Sequence, residues 1–151
     1  SMVRSTALGV HSALAGKVGR EPTMMAVVGK PGERAALTAD GYYESYTSIA
    51  GPTWRNEVDA SVGLELGSFR ADKAAERITA PVLMQIADHD RGAPPQAAAS
   101  AAFKAHAEVR HYPCDHFDIF AGHEWFEPAV KHQISFLTRH LAQTETAEAT
   151  R

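Results

Sequence analysis

Two short apolar runs in the second half of the chain, each followed by a polar loop, constrain the fold more than any other feature. Val82–Ala87 is almost continuously apolar, as is typical of a strand covered on both faces. Glu108–Tyr112 predicts a second strand, and the alanine-rich stretch 96–106 between them predicts a helix that Pro94 and Pro95 would begin. Apolar spacing over Phe126–Leu141 predicts a final amphipathic helix. The order strand, helix, strand, helix predicts an α/β protein with parallel strands.

The first 77 residues lack this alternation and predict a helical, cap-like segment. The apolar run Met24–Val28 is either a strand or a buried extended segment. Helical spacing or a helical turn is predicted in five stretches: 3–17, 33–37, 40–46, 54–66 and 71–77. We therefore expect a cap or lid over 1–77, a core segment over 78–143 and a disordered tail over 144–151.

An acid and a histidine follow the two predicted strands. Asp90 comes after the first strand and His116 after the second. The carboxyl ends of parallel strands joined by a helix face the same side, so these side chains are expected at one edge of the sheet. Asp and His there could form the proton-handling half of a Ser-His-Asp triad. Asp88 is the competing acid, because a shift of two residues in the loop would exchange it with Asp90.

The surrounding residues resemble those of the α/β-hydrolases. The segment 78–83 entering a strand, followed by Asp90-x-x-x-Pro94, is similar to their acid segment, and His116-Phe117-Asp118 before Gly122 is similar to their histidine loop. The resemblance runs from about residue 78 to 141, and a weaker one to a cap region covers 27–32 and 54–57. It implies the last strand–helix–strand–helix of a hydrolase parallel sheet. It also implies that His116 is the general base and Asp90 the acid, acting on an acyl substrate such as an ester or amide.

The nucleophile of such an enzyme is missing from the sequence. No Gly-x-Ser-x-Gly elbow occurs in the 151 residues. Ser12 has bulky residues at both positions that should be small, and Ser61 has a glycine on one side only. Cys114 lies two residues before His116, a spacing at which side chains seldom face each other, and Asp118 is expected to brace the loop.

We therefore expect the C-terminal portion of a serine hydrolase of esterase type, inactive alone for lack of a nucleophile. The alternative is a non-catalytic α/β interaction module that keeps a hydrolase half-fold. A third possibility is a complementing half that assembles with a chain carrying the serine. Ser1-Met2 resembles the residue left by tag cleavage ahead of a start methionine, which favours a truncated form of a longer protein.

Composition limits the kinds of partner that the chain is expected to bind. The net charge is −3 with both signs interspersed, which argues against a nucleic-acid or anionic-membrane surface, and no apolar run is long enough to cross a bilayer. A single cysteine fits a reducing cytoplasm and excludes a four-Cys zinc site. His89, His111, His116 and His123 show no His-x-x-x-His spacing, so no metal or cofactor is expected.

Two further expectations concern exposed surfaces. Two apolar parallel strands leave a sheet edge uncovered, which predicts a homo-oligomer, most simply a dimer, or pairing with an N-terminal half. The aromatic residues Tyr42, Tyr43, Tyr46 and Trp54 either line a substrate pocket or form the core of the cap.

Overall fold

The chain divides into two compact units. We describe a computed structural model covering the backbone of residues 2–148 and the side chains of 7–66 and 69–141. The first unit ends at Phe69 and the second begins at Arg70. This division lies earlier in the chain than the boundary expected after residue 77, and the assignment of a cap and a core stays a prediction.

The first unit contains helices and a small mixed sheet. Its elements are α1 (Met2–Lys17), β1 (Met24–Val28), β2 (Ala35–Leu37), α2 (Tyr42–Ser48), β3 (Val58–Asp59) and α3 (Val62–Ser68). β1 is the central strand: β2 runs parallel to it and β3 antiparallel. The helices predicted near the N-terminus and at the tyrosines are present, and the apolar run Met24–Val28 is a strand.

Two predicted elements of the first unit are wrong. The stretch 33–37 is not a helical turn, because Ala35–Leu37 pairs as a strand with β1. The stretch 54–66 is helical only from Val62. Its first half contains the strand Val58–Asp59, and before that strand the side-chain amide of Asn56 donates to the carbonyl of Val28 at 2.8 Å and accepts from the Val28 N–H at 3.0 Å. Pairing with a distant strand outweighs local periodicity in both places.

The second unit has the predicted strand–helix–strand–helix order. After the short helix α4 (Ala71–Ala75) come β4 (Leu83–Ala87), α5 (Pro95–Lys104), β5 (Glu108–Tyr112) and α6 (Phe126–Glu148). β4 and β5 are parallel, with register running from Leu83 opposite Glu108 to Ala87 opposite Tyr112. Both strands therefore end at the same edge of the sheet.

A buried cluster with a polar centre joins α6 to both strands. Ala87, Tyr112, Cys114 and Ala129 form the buried cluster. The Tyr112 hydroxyl accepts from Gln85 Nε2 at 2.7 Å and lies 2.8 Å from His132 Nδ1. Gln85 Nε2 also donates to the Ala129 carbonyl of α6 at 2.9 Å. Because the Gln85 amide donates to the hydroxyl, the hydroxyl proton is available for His132.

α6 buries a different face from the one that its apolar spacing predicts. Ala129 and Phe136 are buried, and His132 contacts the Tyr112 hydroxyl from the same side. Ile134, Leu137 and Leu141 were expected on the packed face but are each more than half exposed; we call these three residues the α6 stripe. α6 also continues to Glu148, into the segment expected as a tail, and 149–151 lie outside the described residues. Within the described part of the chain, no helix has the length and apolar character needed to cross a bilayer.

Candidate active site

Two loops at the carboxyl ends of β4 and β5 carry the predicted acid and histidine. We call residues 88–94 the acid loop and residues 113–125 the histidine loop. The backbone itself joins them where they leave the sheet: the Asp88 N–H donates to the Tyr112 carbonyl at 2.8 Å, and the His89 N–H donates to the Cys114 carbonyl at 3.0 Å. The two loops therefore start side by side.

The structure brings Asp90 and His116 into hydrogen-bonding contact. His116 Nδ1 lies 2.8 Å from Asp90 Oδ2. The other oxygen of Asp90 accepts from the N–H groups of Gly92 at 2.7 Å and Ala93 at 2.6 Å, which fixes the carboxylate within its own loop. A carboxylate only accepts, so Nδ1 carries the proton and Nε2 is the nitrogen that can accept one. The side chain of Asp90 is 12% exposed and that of His116 31%, so the acid is shielded while the imidazole is accessible.

The competing acid, Asp88, contacts a different histidine. Its Oδ1 lies 2.6 Å from Nδ1 of His111 on β5, and the two side chains are 40% and 55% exposed. The geometry therefore places Asp90, and not Asp88, against His116. The catalytic roles of Asp90 and His116 stay predictions.

A further carboxylate in the histidine loop, Asp115, bonds to both loops. Its Oδ1 accepts from the backbone N–H of Arg91 at 2.9 Å and of His116 at 2.8 Å. Its Oδ2 accepts from Arg91 Nε at 2.6 Å and lies 2.5 Å from Arg91 Nη2. Sequence reasoning missed this role. The available signal was a basic residue next to the predicted acid and an acidic residue next to the predicted histidine: Arg91 follows Asp90, and Asp115 precedes His116.

Asp118 braces the histidine loop, as its position in the sequence suggested. Its Oδ2 accepts from the Asp115 N–H at 2.8 Å. His116 and Phe117 pack edge to face with ring centroids 4.8 Å apart, and Phe117 is buried. The loop that carries the imidazole is thus anchored on both sides of it.

The two serines and the cysteine considered as nucleophiles have environments that favour a structural role. Ser12 is buried, donates to Asp59 Oδ1 at 2.6 Å and accepts from the Thr23 N–H at 2.8 Å. Ser61 lies at the start of α3, and its N–H donates to the same Asp59 oxygen at 2.8 Å. Burial of Cys114, reinforced by nearby carboxylates of which Asp118 acts most strongly, raises its thiol pKa to about 11. A thiol with that pKa forms almost no thiolate near neutral pH, so it is a poor nucleophile.

Two further predictions concern metal ligands and the aromatic residues of the first unit. Across residues 7–66 and 69–141, no three of the His, Cys, Asp and Glu side chains converge as a metal site would require. Tyr42 is buried, and the rings of Tyr46 and Trp54 lie 5.3 Å apart. These contacts favour the second alternative for the aromatic residues, in which they pack within their own unit.

Two solved structures share this architecture. The α/β hydrolase GrgF from Penicillium sp. sh18 superposes with a TM-score of 0.65 at 19% identity, over 92% of this chain and 49% of GrgF. DcsB in complex with its substrate analogue superposes with a TM-score of 0.66 at 18% identity, over 92% of this chain and 50% of DcsB. The fold is that of the α/β hydrolases. The chain spans about half the length of the hydrolase-fold structures that it matches.

A sequence relative adds to the comparison of folds. The chain is 32% identical over 125 residues to the quorum-quenching protein AidA of Acinetobacter baumannii (strain MDR-ZJ06). The alignment covers 81% of this chain and 41% of AidA, so the matched part of this chain corresponds to less than half of that relative. No model of a protein family matches the chain.

Proposed function

We propose that this chain supplies the acid and the histidine of a serine hydrolase of esterase type. The observation that carries the proposal is the 2.8 Å contact between Asp90 Oδ2 and His116 Nδ1, at the ends of adjacent parallel strands in an α/β-hydrolase fold. In open α/β sheets this edge is where sites form. The substrate class is an acyl compound, such as an ester or amide.

The geometry gives each residue of the pair a distinct task. Asp90 holds the imidazole with its proton on Nδ1, so that Nε2 can accept the proton of an attacking hydroxyl. When that proton arrives, the imidazolium is stabilised by the shielded carboxylate of Asp90. His116 then returns the proton to the leaving group, and a second cycle with water releases the acyl product.

The serine and the oxyanion donors belong, in this proposal, to an N-terminal half outside these residues. The elbow sequence is absent here, Ser12 is buried against Asp59, and the Cys114 thiol is held protonated. Without a nucleophile and preorganised N–H donors, little rate acceleration for acyl transfer remains. We therefore expect the chain alone to be inactive. A cytoplasmic location is part of the same proposal.

Two exposed features of the second unit support an N-terminal half as the partner. In the described part of the chain, β4 pairs with β5 only, so its other edge carries unpaired backbone groups. The α6 stripe presents exposed apolar side chains. The lengths of GrgF and DcsB leave room for as much chain again as is present here. Without that half, we expect the same surfaces to drive formation of a homodimer.

Sedimentation tests the partner proposal. Leu137→Glu in the α6 stripe should weaken dimerisation of the chain alone and weaken binding of the N-terminal half. Ser135→Glu adds the same charge at an exposed position of the same helix and should change neither. Two results together would contradict the proposal: the chain alone is monomeric at all concentrations, and the Leu137→Glu variant binds the N-terminal half as well as the unchanged chain does.

Complementation tests the catalytic proposal. The chain would be co-expressed with an N-terminal hydrolase half that carries a Gly-x-Ser-x-Gly elbow, taken from the reading frame that precedes it. We expect hydrolysis of p-nitrophenyl butyrate and labelling of the elbow serine by a fluorophosphonate probe. His116→Ala should abolish both, while His111→Ala, the matched change in the exposed pair, should abolish neither.

The opposite result identifies the alternative. A natural start codon at Met2, together with no labelling in any complemented form, would show a non-catalytic interaction module on a hydrolase half-fold. That outcome would remove the catalytic roles of Asp90 and His116 but leave their contact unchanged.

Quorum quenching is a second candidate activity for the complete protein. Its support is the 32% identity to AidA over 81% of this chain. The complemented protein would be incubated with bacterial quorum signals that contain acyl or lactone bonds, and the remaining signal measured with a reporter strain. Loss of the signal that depends on His116 would support this activity, and an unchanged signal would leave the general esterase as the proposal.

A further inference from the structure

We propose that Asp115 and Arg91 form a clamp that positions Asp90 against His116. The inference rests on the proposed function, because the clamp matters to the reaction only if Asp90 and His116 are catalytic. Neither clamp residue is assigned to touch the substrate. Both are positioning residues that act through the pair.

The clamp connects the residue after the acid to the residue that carries the imidazole. The Asp115 carboxylate accepts from the backbone N–H of Arg91 at 2.9 Å and from the backbone N–H of His116 at 2.8 Å. A single oxygen, Oδ1, receives both bonds. It therefore fixes the distance between the two loop backbones at the positions where the catalytic side chains branch.

The guanidinium of Arg91 holds the same carboxylate from its other side. Arg91 Nε is 2.6 Å and Nη2 2.5 Å from Asp115 Oδ2, the fork geometry that makes Arg–carboxylate pairs directional. The side chain of Asp115 is only 19% exposed, so solvent screens it less than an ordinary surface ion pair. Arg91 thereby links the acid loop to the histidine loop a second time, through its side chain.

Asp115 is itself held in place within the histidine loop. Its backbone N–H donates to Asp118 Oδ2 at 2.8 Å, which restrains the loop backbone from which the carboxylate extends. Asp90 is comparably fixed by the N–H groups of Gly92 and Ala93. The clamp joins two loops that are each internally braced, and the contact between Asp90 and His116 lies beside this junction.

NMR of the chain alone reads the positioning directly and needs no turnover. In protein with 15N-labelled histidine, the Nδ1–H of His116 bonded to Asp90 should give a low-field proton resonance, and the ring 15N shifts should report the Nδ1–H form. Asp90→Asn should remove that resonance and identify it. Asp115→Ala removes both acceptor oxygens of the clamp and should remove or broaden it as well. Asp88→Asn, the matched change in the exposed pair, should leave it in place.

A second variant keeps the test decisive if Asp115→Ala fails to fold, as judged by its backbone amide spectrum. Arg91→Ala removes the guanidinium and leaves the backbone bonds to Asp115, so we expect faster exchange of the His116 Nδ1–H with water, and Arg91→Lys should restore part of the protection. An unchanged low-field resonance and unchanged ring 15N shifts in both Asp115→Ala and Arg91→Ala would overturn the clamp.

Kinetics of the complemented protein separate the clamp from the catalytic proposal. Misplacement of a catalytic group by about 1 Å lowers rates by roughly 100-fold, so Asp115→Ala should lower kcat by about that factor with KM little changed. If the complemented wild type is inactive while the NMR result stands, the catalytic proposal fails and the clamp survives as a structural feature. If the wild type is active and Asp115→Ala changes neither kcat nor the resonance, the clamp fails alone.

Discussion

Two Asp–His pairs lie at the same edge of one small sheet, and they differ in nearly everything except distance. Asp88 and His111 are 2.6 Å apart and Asp90 and His116 are 2.8 Å apart. In the first pair both side chains are 40% or more exposed, whereas Asp90 is 12% exposed. A short contact alone therefore does not identify a catalytic pair. Shielding of the acid, and loops that hold both partners, distinguish the second pair from the first.

The largest expected effect comes from removing the acid of each pair in turn. In the complemented protein, Asp90→Asn should lower kcat by about 10⁴-fold, because the amide donates a proton toward Nδ1 and favours the wrong imidazole tautomer. Asp88→Asn should leave kcat unchanged, since Asp88 contacts only the exposed His111 among the bonds described for its side chain. The measurement is initial hydrolysis rate at saturating ester. Equal losses in the two variants would erase the distinction between the pairs.

The free energy of unfolding should fall more when Tyr112 of β5 is changed than when its neighbour His111 is changed. Tyr112→Phe removes a buried hydroxyl on which Gln85 and His132 converge, and unpaired buried groups cost about 1–3 kcal/mol each. His111→Ala, one residue earlier on the exposed side, removes a contact between two exposed side chains, and such contacts contribute at most about 1 kcal/mol. Urea unfolding compares them, with Tyr43→Phe as the control for loss of a less buried hydroxyl. A larger loss in His111→Ala than in Tyr112→Phe would be contrary to this account.

Ser12 and Asp59 offer a serine–acid pair without a histidine. Ser12→Ala should leave hydrolysis by the complemented protein unchanged, because Ser12 serves packing. It should destabilise the fold by about 1–3 kcal/mol, since the Thr23 N–H loses the buried Ser12 hydroxyl as its acceptor. Ser48→Ala is the matched control, because Ser48 is exposed and donates to the Ser45 carbonyl in its own helix. Loss of serine labelling in Ser12→Ala would instead make Ser12 the nucleophile.

The smallest expected effect is a dependence on pH of the stability that Ser12→Ala loses. The Ser12 hydroxyl, and then the Ser61 N–H, lower the pKa of Asp59 below its ordinary value. A depressed carboxyl pKa stabilises the fold at neutral pH, and this contribution is lost as pH falls through the folded-state pKa. The difference in unfolding free energy between wild type and Ser12→Ala should therefore shrink from pH 7 to pH 2. A difference that grows on acidification would contradict the assigned hydrogen bond.

The sequence predicted the second unit far better than the first, for a physical reason. Local patterns in the sequence predict most of this unit: a nearly continuous apolar run at β4, two prolines at the start of α5 and helical spacing at the start of α6. β2 and β3 have only three and two residues and exist because β1 pairs with them, which local spacing does not reveal. The Asn56 side chain likewise bonds to the backbone of Val28, which is distant in sequence, so local spacing could not predict this contact.

The same limit explains what was missed near the site and on α6. The resemblance indicated Asp90 and His116, but the choice between Asp90 and Asp88 depended on loop geometry. Asp115 was not distinguished because its contacts reach across to Arg91 in another loop. On α6, apolar spacing indicated the wrong face, because the polar network of Gln85, Tyr112 and His132 takes the packed side.

The most direct test of the central claim is the rate of p-nitrophenyl butyrate hydrolysis by the folded chain alone, compared with its His116→Ala variant. The claim is that Asp90 and His116 form half of a catalytic site whose nucleophile lies outside these 151 residues. It predicts the same rate, equal to the uncatalysed background, for both proteins. Turnover by the wild-type chain that His116→Ala abolishes would contradict it, because a nucleophile would then exist within this sequence.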